Sequence, residues 1–139
     1  MEKKWEDEPS DYIFNHLGFK CVCKRQRTMK TWLGYIVVPQ NHPWFSVDQA
    51  IFNELGILKN RKITYTGHNP FTPDPKQGEW WIGFDCTQEF DLIPMHWEVE
   101  GPSHPRLFKH HVYKDLDFVK DQLKFLAEAA LRMNQAEPV

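Results

Sequence analysis

The chain has 139 residues, a formal net charge of −2, and a hydrophobic share of 41% that includes 14% aromatic residues. This length suits one compact domain over residues 1–139, and the apolar content argues against extended disorder. The near-neutral charge argues against a general nucleic-acid binder, and no apolar run is long enough for a membrane-spanning helix.

Residues 1–10 are rich in charge and are expected to be flexible; their opening, Met1-Glu2-Lys3-Lys4, does not read as a secretory leader. Tyr12, Ile13, Phe14 and Leu17 are spaced as one short helical turn, stopped at Gly18. Residues 19–25 alternate as a strand, with Phe19, Cys21 and Cys23 on one face and Lys20, Val22 and Lys24 on the other. A polar turn leads into a second β-rich run at residues 31–38, closed by Pro39, and the two runs predict a hairpin. After a turn-rich loop, Ser46 or Asp48 can cap a short helix with Ile51, Phe52 and Leu55 as its apolar stripe and Gly56 as its stop. Residues 62–68 predict a third strand, with Ile63, Tyr65 and Gly67 facing one way and Thr64, Thr66 and His68 the other. The three prolines of residues 69–77 mark a surface loop.

Residues 78–87 form the stretch around which the others are expected to gather. Read as a strand, they send Trp80, Ile82, Phe84 and Cys86 to an apolar core face and Glu79, Trp81, Gly83, Asp85 and Thr87 to the other. A glycine beside a large flat ring and a carboxylate suggests a floor for a planar ligand, with Asp85 as acceptor. The competing reading places Trp81 under a loop or helix and makes Gly83 a bulge. Residues 88–112 read as a long irregular stretch with a short strand at 96–99. Residues 113–133 predict a helix whose stripe is Leu116, Val119, Leu123, Leu126, Ala127 and Ala130. The fold class expected is α+β: an antiparallel sheet of about four strands, a long C-terminal helix packed on one face, and a short middle helix.

Several constellations are weighed for chemistry. Cys21, Cys23 and Cys86 are an odd number of thiols without paired zinc spacing, which fits a reducing cytoplasm and small core residues, so no metal and no cofactor is expected. Adjacent His110 and His111 diverge on a strand. Cys86 or Ser46 as nucleophile lacks a motif that supplies a base. The binding signals are stronger. His42, Trp44 and Phe45 sit just before a helix, and Lys24, Arg25, Arg27, Lys30, Lys59, Arg61 and Lys62 gather near turns. A base stacked on Trp81, Trp44 or Tyr35, with phosphates met by cations, is ordinary nucleotide recognition. Alternatively, Trp44 and Phe45 staple the helix to the core.

The order Gly34-Tyr35, Val38-Pro39, His42-Pro43-Trp44-Phe45, Ile63-Thr64-Tyr65, Trp80-Trp81-Ile82-Gly83-Phe84-Asp85, Asp91 and Tyr113-Lys114-Asp115-Leu116-Asp117-Phe118-Val119 resembles a widespread uncharacterised family of small proteins encoded by phages and prophages. The resemblance covers residues 34–131. The family tends to carry His-Gly-Gly where this chain has Arg61 and Lys62, and a histidine near the position of Gln88. The resemblance implies a phage accessory protein in a bacterial cytoplasm, of a size often used against host defence. The leading expectation is a non-catalytic sponge, a homo-oligomer that sequesters a cyclic-nucleotide or ADP-ribose-type signal through Trp81, Asp85, His42, Trp44, Tyr35, Thr66, His68 and Arg61. A small phosphate-ester hydrolase using Asp85, Asp91 and a histidine is the alternative, and an inhibitor of a host protein is a third.

Overall fold

Strands β1 (Asp11–His16), β2 (Phe19–Arg25), β3 (Trp32–Pro39), β4 (Tyr65–Gly67) and β5 (Glu79–Asp85) form one sheet in the order β1-β2-β3-β5-β4, antiparallel throughout. Helices α1 (Gln49–Glu54), α2 (Pro94–Glu100) and α3 (Leu116–Gln135) complete an α+β fold. This computed structural model describes residues 2–135; Met1 and residues 136–139 of the expected domain lie outside the described residues. No helix among the described residues is long and apolar enough to cross a membrane.

α3 lies across β2 and β3 and buries Val119, Leu123, Leu126, Ala127 and Ala130 completely. These side chains meet Cys21, Cys23, Ile36, Val38, Ile82 and Phe84 in the main core, so the stripe read from the sequence is the stripe that packs. Gly34 makes this approach possible: a Cβ there would stand 2.8 Å from both the Phe84 ring and Val119. The start of α3 is held from two sides. Asp115 accepts a hydrogen bond from the Phe118 amide at 2.8 Å, and Glu8 accepts one from the Leu116 amide at 2.7 Å, two carboxylates placed at the positive end of the helix dipole.

Glu8 belongs to the segment 1–10 expected to be flexible, and its bonds dock part of that segment on the fold. Lys4–Glu6 forms a 3₁₀ turn, Trp5 is buried, and Glu8 also accepts from Arg25, Trp32 and Tyr113. A single half-buried acceptor for four donors ties the segment to two strands and a helix, which a charge count cannot reveal. The expected helical turn at residues 12–17 is instead β1. Its link to β2 is the two-residue turn Leu17-Gly18, with φ of 54° and 87°. Tight hairpins need positive φ at both central residues, a requirement that Gly or Asn meets easily and Leu does not, so Leu17 disguises the hairpin as an apolar helical spacing.

The strand expected at residues 96–99 lies inside α2. Pro94 occupies the first helical turn, where its fixed φ suits a helix and its missing N–H costs nothing. The third strand is shorter than residues 62–68. Ile63 packs in the main core while Tyr65 packs on the opposite face, so the chain rotates between them and the two do not share a face as expected. α1 is capped by Asp48, whose side chain accepts from the Ala50 amide at 3.0 Å; of its expected stripe only Phe52 is buried, with Ile51 and Leu55 exposed.

Candidate functional site

Trp81 and Tyr35 do come together, at 5.6 Å between ring centroids, but not as an open floor. With Val22 and Val37 they form a second, smaller core on the face away from α3, flanked by Leu33 and Tyr65. Trp81 is only 2% exposed, and Phe71 from the proline-rich loop sets its ring 6.1 Å away. The depression expected at Gly83 is filled: a Cβ there would meet the Tyr35 ring at 2.4 Å and the Gly34 carbonyl at 2.6 Å. The glycine therefore admits a neighbouring ring rather than a ligand. Burial, followed by the nearby Tyr65 and Asp85, pushes the Tyr35 phenol up to about 12.

The remaining expected site residues are dispersed. His42 is buried; its Nε2 stands 2.8 Å from the Ala130 carbonyl and its Nδ1 accepts from the Trp44 amide at 2.9 Å. Trp44 packs edge-on against Phe52 in the main core, so the stapling reading holds and these two rings are structural. Thr66 accepts from the Gln49 amide at the start of α1. His68 lies against Trp80 and beside the Glu79 carbonyl. Asp85 is at the other end of the seven-residue β5, roughly 20 Å away at ~3.3 Å per residue. His68 thus lies far from Asp85 along β5, while Arg61 contacts Asp85 and Asp91 together.

What the structure does assemble is a buried ion pair under an open groove. Arg61 grips Asp91 through two parallel bonds, 2.7 and 2.8 Å long, and reaches the Asp85 carbonyl at 2.8 Å. Lys114 adds a third contact to the same carboxylate at 3.2 Å, and the Gln88 amide a fourth at 3.0 Å. Burial works to raise the Asp91 carboxyl, but the hydrogen bonds and charge of Arg61, with Gln88 and Lys114, outweigh it and hold the group below its ordinary value. Asp91 is therefore a committed anion whose oxygens are occupied, poorly suited to general-acid work. The guanidinium stacks 5.0 Å over Phe118 of α3, and its Nε finds no partner among the described residues.

Above this pair, the turn at residues 58–61 separates two hollows of about 600 and 580 Å³, the size that ordinary small-molecule sites occupy. The first is lined by Phe90, Phe118 and Phe125 together with Lys59, Lys114 and Gln122. The second is lined by Lys62, Asn53, Thr64 and Gln88 together with Leu58. Lys59 and Lys62 are exposed, and neither forms an ion pair among the described residues. Gln88 clamps the strap beneath, accepting from the Lys62 amide at 2.7 Å and donating to the Lys62 carbonyl at 2.9 Å. Arg61, Lys62 and Gln88 are one network here.

Phe90 is the unusual member. It is 54% exposed and held at φ 65°, a conformation rarely adopted by a bulky residue. Its surroundings impose this: the Phe90 carbonyl accepts from the Val112 amide at 2.9 Å, and the next amide, of Asp91, donates to the Gln88 carbonyl at 3.0 Å. Strain that is over-determined by its neighbours and presents a ring to a groove is a pointer to function. Sequence reasoning missed Phe90, Phe125, Lys59 and Lys114 as a group. The one available signal was Phe125, an aromatic off the buried stripe of α3 and 38% exposed.

Cys21, Cys23 and Cys86 are buried free thiols, each pushed by burial up to about 12, which leaves them protonated and weakly nucleophilic at neutral pH. Among the described residues no three His, Cys, Asp or Glu side chains converge as a metal-binding group. Comparison with known proteins leaves the geometry to stand by itself: no family model, no curated protein and no solved structure matches this chain.

Proposed function

We propose that the protein binds and sequesters a nucleotide-type small molecule without cleaving it, in the two-lobed groove around residues 58–61. The observation that carries this reading is the strained, outward Phe90 ring beside Lys59, at the mouth of a hollow floored by the Arg61–Asp91 pair. A planar base can stack on Phe90 or Phe125, while phosphate oxygens meet Lys59 and Lys62, the cations left without carboxylate partners. Sequestration needs only stacking and charge pairing, and the groove offers both. Asp91 beneath the groove is already neutralised, while Glu89, which lines both hollows, keeps a carboxylate without an ion-pair partner among the described residues. The resemblance to phage and prophage proteins supplies the biological setting, removal of a cyclic-nucleotide or ADP-ribose-type defence signal in a bacterial cytoplasm.

A thermal-shift and calorimetric screen with cyclic di- and trinucleotides, ADP-ribose isomers and mononucleotides tests the reading, since a ligand that binds only the folded state raises its melting point. Phe90→Ala is expected to weaken binding by roughly 10-fold to 100-fold, the range of about 1–3 kcal/mol for one stacked base, with the fold intact. Recovery of the bound nucleotide unchanged supports sequestration, and accumulation of a cleaved product replaces it with the hydrolase alternative. Failure of every nucleotide to bind, with capture of a host protein through the exposed Val99, Leu107 and Val112, would instead favour the inhibitor reading.

A further inference from the structure

The two edges of the sheet are treated differently by the sequence. β4 is three residues long and runs into the proline-bearing loop 69–77, so little of that edge can pair with another strand. β1 is six residues long, keeps an unbroken register with β2, and contains no proline, bulge or inward charge. The Arg25 amide donates to the Ser10 carbonyl at 3.0 Å, which fixes the phase of the antiparallel ladder. Ser10, Tyr12, Phe14 and His16 therefore turn their backbone groups toward β2. Asp11, Ile13 and Asn15 turn theirs outward, to an open edge. That edge also carries exposed apolar side chains, Ile13 at 55% and Tyr12 at 39%.

We propose that β1 pairs antiparallel with β1 of a second copy of this chain, about a two-fold axis at Ile13, joining the two sheets into one. The edge is self-complementary in that register. A two-fold perpendicular to the sheet keeps side chains on their own faces, so it sets Ile13 against Ile13, Asp11 against Asn15, and Tyr12 against Phe14. Every outward N–H and C=O of Asp11, Ile13 and Asn15 then finds a partner, and each exposed apolar side chain meets an apolar one.

On the helix side of the sheet the same edge is flanked by charged residues of α3. Lys120 of α3 stands 4.6 Å over the Tyr12 ring, and Glu128, two turns further along, stands 3.7 Å from His16. Paired about Ile13, Tyr12 lies opposite Phe14 of the second copy and His16 opposite its Ser10, so Lys120 and Glu128 flank the seam on the helix side of the sheet. The flank of α3 involved is opposite the one that lines the groove through Phe118, Gln122 and Phe125, so pairing leaves both grooves open at the outer sides of the joined sheet.

Sedimentation equilibrium of the full chain over a wide concentration range tests the proposal. The unaltered protein is expected to be a dimer. Ile13→Lys places two ammonium groups together at the axis, and the dissociation constant is expected to rise by about 100-fold or more, since facing like charges cost several kcal/mol. Because Ile13 is exposed, the melting point of the Ile13→Lys monomer should match that of dilute unaltered protein. An unaltered chain that stays monomeric at millimolar concentration overturns the proposal, as does a dimer insensitive to Ile13→Lys.

Discussion

The two faces of the sheet bury aromatic and aliphatic residues by different means. On one face a twenty-residue helix supplies the second layer, and Leu123, Leu126 and Val119 lie fully buried against β2, β3 and β5. On the other face no helix arrives. Val22, Tyr35, Val37 and Trp81 cover one another, and a loop adds Phe71 at 5.4 Å from Tyr35 and 6.1 Å from Trp81. Lys20 and Lys24 complete the cover, their ammonium groups 5.8 Å over Trp81 and 5.5 Å over Phe71. The lesson is that a sheet face without a partner layer need not be a binding surface: large rings at cross-strand spacing, with one glycine to admit them, make a thin core of their own. The two hollows around residues 58–61 fall at the end of the sheet, where loops and the flank of α3 leave a gap that neither face can fill.

Substitutions at matched sites sharpen this comparison. Leu123→Ala, in the middle of the helix layer, is expected to cost about 4 kcal/mol, because a fully buried leucine held between a helix and a sheet leaves a cavity that collapses little. Urea denaturation with an unchanged m-value would measure it. Trp81→Ala removes a larger side chain from the thin core but is expected to cost less, about 3 kcal/mol, since a loop and flexible lysine chains can close over the gap. A Trp81→Ala loss clearly exceeding that of Leu123→Ala would break the comparison and give the thin core equal structural weight. Gly83→Ala should cost about 2 kcal/mol, because its Cβ would overlap the Tyr35 ring and a backbone carbonyl together. Altered Trp81 fluorescence is expected in that variant, and an unchanged denaturation midpoint would mean that the ring stack moves aside freely. Ligand binding in the groove should survive Gly83→Ala and fail in Phe90→Ala, which separates the thin core from the site.

The β2–β3 hairpin, the core face of β5 and the stripe of α3 were legible because each is a local period. Phe19, Cys21 and Cys23 alternate at two, while Val119, Leu123, Leu126 and Ala130 recur at three and four, and burial follows those periods directly. β1 was misread because Leu17 occupies a turn position that its type disfavours. The covering of the expected ligand face was illegible for a different reason. Periodicity shows that Trp81 and Asp85 point away from the main core, but not whether other side chains cover that face. His42 and Trp44 carry the residue types of a binding loop, yet their ring contacts and hydrogen bonds are all internal.

The sequence by itself determined the α+β class, the long amphipathic helix and the face of β5 that it covers, since those depend on the ordering of apolar residues within a few positions of each other. Tertiary structure alone decided that Arg61 and Asp91, thirty residues apart, share two hydrogen bonds, that Glu8 ties the amino-terminal segment to Tyr113 and the start of α3, and that Phe90 is held with its ring outward. The physical reason is range. Hydrophobic periodicity is written into adjacent residues, whereas a buried charge pair, a shared acceptor and a strained backbone exist only once distant segments are close enough to compensate one another.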